Sequence, residues 1–185
     1  SESGLSTKSG ASTMAIADVD GDGDLDLYLT NYKIKSAKDI WDPGELVYDS
    51  VVERLPEGMR IAPKFQEHFE LDIRGEWALF LETGESDVLF LNRGDGTFES
   101  SGIGDGRFRN QAGESVGDLL DWGLAARFHD IDNDGDQDLY VCNDFESPDR
   151  IWINDGNGVF TELDQMAIRS TSHSSMAGAF SDIDR

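Results

Sequence analysis

Two short stretches of the sequence carry an aspartate at every second position, and these residues are the ones most able to do chemistry. We name the stretches loop 1 and loop 2, and their aspartates occupy positions 1, 3, 5, 7 and 9 of each. They are Asp18, Asp20, Asp22, Asp24 and Asp26 in loop 1, and Asp130, Asp132, Asp134, Asp136 and Asp138 in loop 2. Carboxylates crowded into one turn repel one another, and a hard cation that takes about six to eight oxygen ligands removes this repulsion. The spacing therefore predicts one metal site in each loop.

Calcium fits these loops better than other common ions. It accepts several carboxylates together with a backbone carbonyl, which we expect position 7 to provide, whereas Mg²⁺ tends to keep its water. Zinc prefers His or Cys, and neither loop has one in a ligand position. An EF-hand is excluded because its loop ends in a bidentate Glu, where this chain has Leu29 and Val141. The alternative is that both runs are ordinary polar turns, which do not need alternating carboxylates.

The loops belong to a longer internal repeat. A third copy begins with Asp182 and Asp184, 52 residues after the start of loop 2, and it stops at the last residue of the sequence. We expect this third, truncated site to be empty or incomplete. A second motif, Asn-x-Gly-x-Gly-x-Phe, follows each complete loop at residues 92–98 and 154–160. Its glycines predict a turn between two short strands.

The elements that must position the loops are β-strands. Leu25, Leu27 and Leu29 alternate with polar or aromatic residues, which is the period of a strand with one buried face. Short strands, a repeat of 52 residues and a turn between each pair predict an all-β fold, a partial β-propeller of four-stranded antiparallel blades. We place one propeller fragment at 1–185, with the first blade at 12–32 and 87–100, the second at 123–163 and the start of a third at 174–185.

The first blade is interrupted by a mixed, partly helical insertion at 33–86. We prefer an insertion to a repeat that has lost its loop, because this segment contains neither sequence motif. Residues 42–45 form a helix-start signal that predicts a short helix. The apolar residues at helical spacing after it are Leu46, Val47, Val51, Val52 and Leu55. Seven of the 15 basic residues lie in the insertion, which suggests a cap that docks electrostatically on its own propeller, or else a loop that carries specificity.

Net charge restricts the partners. The chain has 38 acidic residues and 15 Lys and Arg, a formal net charge of −23, so neither nucleic acid nor an anionic membrane surface is a natural partner. No apolar run reaches the roughly 18 residues of a membrane-spanning helix, so we expect no membrane insertion. The single cysteine, Cys142, excludes an internal disulfide and a cysteine zinc site.

The Asp-x-Asp-x-Asp-Gly-x-x-Asp loops, the strands after them and the Asn-x-Gly-x-Gly-x-Phe hairpins resemble FG-GAP/VCBS-repeat proteins, which share the calcium-loop blades of integrin α-subunit propellers. The resemblance covers residues 12–32 and 87–185, and it implies Ca²⁺ at both loops. Residues 174–176 resemble the secreted bacterial branch, which has ASPIC-type relatives. Such propellers close with about seven blades. The resemblance therefore implies a fragment, or another subunit at the open sheet edges.

Two functions fit this sequence. The first is a calcium-binding, non-catalytic interaction or adhesion module, secreted to an extracellular or periplasmic space, in which Ca²⁺ is structural and the ligand is a protein or a polysaccharide. The alternative is a secreted propeller enzyme, a polysaccharide lyase or hydrolase. Its candidate catalytic side chains are His68, His129, His173, Tyr32, Tyr48 and the arginine residues. We favour the module, because His129 fits a tolerated strand residue and the adjacent residues Ser172, His173 and Ser174 do not have the geometry of a catalytic triad.

Overall fold

The computed structural model describes residues 3–145, 147–164 and 174–181. The chain forms two compact units, unit 1 (Ser1–Tyr32 and Glu85–Arg185) and unit 2 (Lys33–Gly84). The described residues are mostly β-strand in antiparallel sheets with few helices, so the predicted all-β fold is confirmed. Helices in these residues contain at most four residues, and none has the length and apolar character needed to cross a membrane.

Short strands make up both units. They are β1 (Ala11–Ala17), β2 (Asp26–Asn31), β3 (Val52–Leu55), β4 (Gly58–Ile61), β5 (Phe69–Arg74), β6 (Trp77–Glu82), β7 (Val88–Asn92), β8 (Phe98–Gly102), β9 (Phe108–Arg109), β10 (Gly123–His129), β11 (Asp138–Asn143), β12 (Arg150–Asn154) and β13 (Phe160–Glu162). The helices are α1 (Ala37–Ile40) and α2 (Tyr48–Val51), with 3-10 turns at Pro63–Phe65 and Ile103–Asp105. Loop 1 joins β1 to β2, and loop 2 joins β10 to β11, so each loop is the turn of a hairpin.

Sheet 1 has four antiparallel strands in the order β1-β2-β7-β8. Tyr28 pairs with Leu89 and faces the core of unit 1, whereas Leu27 pairs with Phe90 on the opposite face. Strands β2 and β7 are neighbours in the sheet although unit 2 separates them in the sequence. The sheet is therefore assembled from two segments that lie far apart in the chain.

Sheet 2 has five strands in the order β10-β11-β12-β13-β9, where four were predicted. The first four are antiparallel, and β9 pairs in parallel with β13. Phe108 explains the additional strand, because this fully buried ring stacks on Phe160 at a centroid distance of 5.1 Å and packs edge-on against Trp152. Burial of the three rings brings β9 to the sheet edge, where it also pairs backbone groups of β13.

The two sheets of unit 1 share one hydrophobic core. Sheet 1 contributes Tyr28 and Leu89, and sheet 2 contributes Leu139, Val141 and Trp152, all of which are almost fully buried. Since strand residues alternate between the two faces, each sheet presents one apolar set to the other. This packing holds in place the strands from which loop 1 and loop 2 emerge.

Unit 2 has a hydrophobic core of its own. It consists of the hairpins β3–β4 and β5–β6 with the two short helices, and its buried side chains include Val51, Phe65 and Phe69. Some of its basic residues are balanced by carboxylates of the same unit. The ion pairs are Lys33–Glu82 (3.2 Å), Arg60–Glu53 (2.7 Å), Arg74–Asp72 (2.6 Å) and Lys64–Glu45.

The helix predicted in this region is wrong in its extent. Helix α2 ends at Val51, and both Val52 and Leu55 belong to strand β3, which pairs with β4. The start signal forms a turn instead, in which the Glu45 N–H donates to the Asp42 carbonyl at 2.8 Å. Pairing with a neighbouring strand decides the structure here, because β-branched residues pack well on a pleated surface.

Candidate metal centres

Three of the five aspartates in each loop bring their carboxylates together. In loop 1 they are those at positions 1, 3 and 9, and in loop 2 the same positions converge. The triads are Asp18, Asp20 and Asp26, and Asp130, Asp132 and Asp138, and within each triad one oxygen per residue lies within 4.8 Å of the others. The side chains at positions 5 and 7 belong to neither triad. The structure therefore places six of the ten predicted ligands in two matching carboxylate clusters.

Position 9 fastens each loop to its sheet. Asp26 is fully buried at the start of β2, and its two carboxylate oxygens accept hydrogen bonds from the N–H groups of Val19 (2.9 Å) and Asn92 (2.8 Å). Asp138 does the same in loop 2, with the N–H groups of Ile131 (2.7 Å) and Asn154 (2.8 Å). Hydrogen bonds to a carboxylate are about twice as strong as neutral ones. Position 9 therefore joins the loop to the Asn of the following hairpin.

Position 1 shapes the curl of each loop. Asp18 accepts hydrogen bonds from the N–H groups of Gly21 (2.9 Å) and Gly23 (3.0 Å). Asp130 accepts from the N–H groups of Asp134 and Gly135, both at 3.1 Å. These bonds curl the backbone around the position-1 carboxylate, and the carboxylates at positions 3 and 9 lie close to it.

Positions 5 and 7 have different surroundings. The Asp22 carboxylate accepts the N–H of Asp24 at 2.9 Å, and the equivalent bond in loop 2 has the same length. The side chain of Asp24 lies over the turn between β7 and β8, because a Cβ built on Gly94 would stand 2.6 Å from Asp24 Oδ2. Gly94 also has a φ of +71°, which favours glycine. The position-7 carboxylate is thus turned towards the hairpin, while a backbone carbonyl at this position stays a prediction.

Electrostatics within loop 1 favour a bound cation. Burial, followed by the charges of Asp22 and Asp18, raises the pKa of Asp20 above its ordinary value. Burial also raises the pKa of Asp26, although its two backbone hydrogen bonds act in the opposite direction. One oxygen of Asp20, Oδ1, is buried and has no hydrogen-bond partner. Such an orphaned carboxylate oxygen fits a hard cation, and the all-oxygen donor set fits Ca²⁺.

In loop 2 the surroundings of position 3 are more open. Desolvation, followed by the charge of Asp134, raises the pKa of Asp132 above its ordinary value. The pKa of Asp136 is raised in the same way, by desolvation and then by the charges of Asp134 and Asp130. The repulsion among aspartates that their spacing predicts is therefore present in loop 2 as well. The third loop, with Asp182 and Asp184, lies outside the described residues.

A second repeated arrangement was missed by the sequence analysis. In sheet 1 the Tyr28 hydroxyl donates to Asp87 (2.8 Å), which also accepts the Asn31 N–H (2.7 Å). In sheet 2 the Tyr140 hydroxyl donates to Asp149 (2.8 Å), and the Asn143 N–H donates to the same carboxylate (2.9 Å). We call each set a Tyr-Asn-Asp clamp, because it ties the end of one strand to the start of the next. Its signal is the pattern Leu-Tyr-x-x-Asn, which the sequence contains after each loop.

The described His and Tyr side chains considered for catalysis make packing contacts within their own units. His129 stacks on a phenylalanine ring at a centroid distance of 4.8 Å, and Tyr32 packs edge-on against a tryptophan at 4.8 Å. His68 packs against another tryptophan ring at 4.9 Å within unit 2, where the Tyr48 hydroxyl contacts a methionine sulfur at 3.6 Å. His173 lies outside the described residues. These contacts are those of core and surface packing.

Comparison with known families bears on the second loop and the strands after it. Residues 130–185 match the family model of the FG-GAP-like repeat, a range that starts at the first aspartate of loop 2 and includes β11, β12 and β13. No curated protein matches the chain. Loop 1 repeats the carboxylate triad of loop 2, and the four strands of sheet 1 follow the order of the first four strands of sheet 2. The FG-GAP-like repeat that the sequence predicts is therefore confirmed over residues 130–185.

Proposed function

We propose that this chain is a calcium-binding, non-catalytic interaction module in which Ca²⁺ holds loops 1 and 2 in place. The observation that carries the proposal is the convergence of three carboxylates within 4.8 Å in each loop. Asp18, Asp20 and Asp26 would hold the ion in loop 1, with the matching residues in loop 2. A bound cation offsets the repulsion among these carboxylates. The orphaned Oδ1 of Asp20 would gain the partner that it lacks within the protein.

The role of calcium in this proposal is structural. Position 9 of each loop is at once a member of the carboxylate cluster and the acceptor of two backbone N–H groups. A cation that binds there ties the loop, the first residue of the strand and the following hairpin into one assembly. Binding to the folded state alone stabilises it by mass action. We therefore expect calcium to act on the stability of the fold.

We also propose that the module works in an extracellular or periplasmic space. Calcium sites of extracellular modules bind with dissociation constants of about 10⁻⁴–10⁻³ M, and such sites need a medium rich in calcium. The FG-GAP-like repeat at residues 130–185 supports this location. The secreted bacterial branch and its ASPIC-type relatives stay predictions of the sequence.

An apolar face of sheet 1 supports a partner for this module. Met14 and Ile16 are 61% and 54% exposed, and they pair with Leu29 and Leu27 on the face that points away from the shared core. In sheet 2 the residue equivalent to Leu27 is Leu139, which is buried in the core shared with sheet 1. We propose that another repeat, from the rest of a propeller or from another subunit, covers this face. The ligand of the assembled module would be a protein or a polysaccharide.

Thermal unfolding in three buffers tests the calcium proposal. The protein is melted in excess EDTA, in millimolar Ca²⁺ and in millimolar Mg²⁺. Ca²⁺ at about ten times its dissociation constant adds about 1.4 kcal/mol per site, so two filled sites should raise the midpoint by about 5 °C or more. Mg²⁺ should have a much smaller effect because it gives up its water reluctantly.

Two variants identify the source of the shift. The double variant Asp20→Asn, Asp132→Asn removes one carboxylate from each triad and should lose most of the calcium-dependent shift. Glu99→Gln, which changes an exposed carboxylate outside both loops, should keep it. An equal midpoint of the unaltered protein in EDTA and in Ca²⁺ would show that the loops are ordinary turns.

A further inference from the structure

The hairpin turn between β12 and β13 belongs to sheet 2 but lies against loop 1. The side-chain amide of Asn154 donates to the Val19 carbonyl at 2.8 Å, in a buried contact between residues 135 positions apart. A Cβ built on Gly21 would stand 3.6 Å from the Gly156 carbonyl oxygen, and one built on Gly158 would stand 3.5 Å from the Cβ of Asp20. Part of the support for loop 1 therefore comes from the next repeat.

Asn154 also contacts the second carboxylate cluster. Its backbone N–H donates to Asp138 Oδ1 at 2.8 Å, and the N–H of Val19 donates to Asp26 Oδ2 at 2.9 Å. Asp138 and Asp26 are the position-9 members of the two triads. A continuous series of hydrogen bonds thus runs from loop 2 through Asn154 and Val19 to loop 1, and every group in it is buried or nearly so.

Asn92 is the residue of the first repeat that matches Asn154. Comparing the two distinguishes the contact within a repeat from the contact between the sheets. The Asn92 N–H donates to Asp26 Oδ1 at 2.8 Å, and the Asn92 amide donates to the Leu25 carbonyl at 3.2 Å. Asn154 makes the equivalent local bond to the Gln137 carbonyl, also at 3.2 Å. The bond to Val19 is additional. Asn92 therefore serves as a matched control, since it makes the local bond within its own repeat.

Arg107 adds a second contact to the same turn. Its Nη1 donates to the carbonyls of Gly158 (3.1 Å) and Asn157 (3.3 Å). A Cβ built on Gly158 would stand 3.1 Å from this Nη1 and 3.5 Å from the Cβ of Asp20, so the guanidinium group lies close to loop 1. Arg107 therefore holds the turn, and Asn154 links the turn to loop 1. Through Asn154 the turn supports the Val19–Asp20 peptide group.

We infer that Asn154 is a positioning residue that couples the two calcium sites, so that a cation in loop 2 raises the affinity of loop 1. This inference rests on the proposed calcium binding. Filling loop 2 fixes Asp138, and with it Asn154 and the Val19–Asp20 peptide group. Loop 1 then binds its cation with part of its ordering cost already met. By reciprocity, a cation in loop 1 raises the affinity of loop 2 by the same factor.

Calcium titration of the full chain with selective site variants measures this coupling. Asp18→Asn with Asp20→Asn disables loop 1, and Asp130→Asn with Asp132→Asn disables loop 2, which gives the affinity of each site alone. The two stepwise constants of the unaltered chain then give the coupling factor. We expect it to be about fivefold or more, the lower end of typical coupling between sites.

The same titrations with the variants Asn154→Ala and Asn92→Ala test the role of Asn154. Asn154→Ala keeps the backbone N–H to Asp138 but removes the amide, and it should bring the coupling factor to about one. Asn92→Ala should leave the coupling factor unchanged, whatever it does to the affinity of loop 1. If Asn154→Ala does not fold, Asn154→Ser makes the same test. If Asn154 had only a structural role, both variants would be less stable in EDTA, but their coupling factors would be the same.

The outcomes separate the inference from the proposal beneath it. Absence of calcium binding at both loops would contradict the proposed function itself. Two sites that bind calcium independently in the unaltered chain would overturn the inference and leave calcium binding intact. Coupling that persists in Asn154→Ala would also overturn it.

Discussion

Asp87 is a carboxyl group inside unit 1 whose ionisation should affect stability. Burial raises its pKa to about 7, while the hydrogen bonds from the Asn31 N–H and the Tyr28 hydroxyl act in the opposite direction. In the unfolded chain its pKa returns to 3.8. Between these two values the folded state holds more protons than the unfolded state. Stability contributed by this group is therefore present at low pH and is lost as the pH rises from about 4 to about 7.

Substitution of Asp87 by Asn should remove this pH dependence. A neutral amide can accept the Asn31 N–H and donate to the Tyr28 oxygen, as a protonated carboxyl group can. We expect the free energy of unfolding of the unaltered chain to fall between pH 4 and 7 by up to about 1.4 kcal/mol per pH unit more than that of Asp87→Asn. Denaturant unfolding at several pH values measures the difference.

A control variant accounts for the other carboxylates. The loop aspartates with raised pKa values also lower the free energy of unfolding as the pH rises. They are present in both proteins, so they leave the difference between the proteins unaffected. Glu57→Gln changes an exposed carboxylate in the β3–β4 turn and should leave the pH profile unchanged. Identical slopes for the unaltered chain and Asp87→Asn would show that Asp87 is ionised throughout this range.

The spacing of aspartates predicts both clusters, but it does not predict which carboxylates converge. Positions 1, 3 and 9 come together because backbone N–H groups around Asp18 and Asp26 shape the loop. Position 7 turns away because the glycine of the next hairpin leaves room for Asp24. That room is created by packing between segments distant in sequence. A local pattern cannot reveal it.

At the scale of elements, strand β10 approaches sheet 1 at a glycine. A Cβ at Gly123 would lie 2.8 Å from Asp87 Oδ1 and 3.1 Å from the Asn31 carbonyl oxygen, so the backbones meet where a side chain does not fit. We expect Gly123→Ala to destabilise the protein by about 1–3 kcal/mol through overpacking. Gly102→Ala is the matched control, because its Cβ would meet other atoms at ordinary distances of 3.4 Å and more. Denaturant unfolding checks both, and equal stabilities would contradict the close approach.

The presence of a strand is easier to predict from the sequence than the neighbouring strand with which it pairs. Period-2 alternation around Leu27 and Tyr28 indicates β2 because one face of that strand is buried. Strand β9 has two residues and no period, and it exists because Phe108 is buried against Phe160 and Trp152. In unit 2 the spacing from Leu46 to Leu55 fits a helix, yet pairing with β4 makes its second half a strand. Tertiary contacts override local preference in both cases.

At the scale of the whole molecule, unit 2 is inserted between two neighbouring strands of sheet 1 that are held together without it. The Asn31 amide donates to the Ser86 carbonyl at 2.6 Å, beside the clamp formed with Asp87. The equivalent Asn143 amide donates to the Pro148 carbonyl at 2.7 Å, five positions further along the chain. The strand ends on either side of unit 2 are therefore held together by bonds within unit 1.

Removal of unit 2 should leave unit 1 folded. Joining Tyr32 to Glu85 through a Gly-Gly linker leaves as many residues between Asn31 and Asp87 as the chain has between Asn143 and Asp149. We expect the shortened protein to keep the calcium-dependent shift in midpoint, because both carboxylate clusters and the shared core lie in unit 1. Thermal unfolding in EDTA and in Ca²⁺ measures this. Loss of the shift in the shortened protein alone would show that unit 2 supports the loops.

The clamp also explains how such a sheet can tolerate connecting segments of very different length. Its hydrogen bonds join residues at the strand ends, so the segment between them is free to grow. In one repeat that segment has five residues, and in the other it contains an entire folded unit. By the same reasoning, the segment 144–148 is a position where an insertion should be tolerated. An engineer could graft a foreign binding segment there while the two carboxylate loops stay at the opposite ends of their strands.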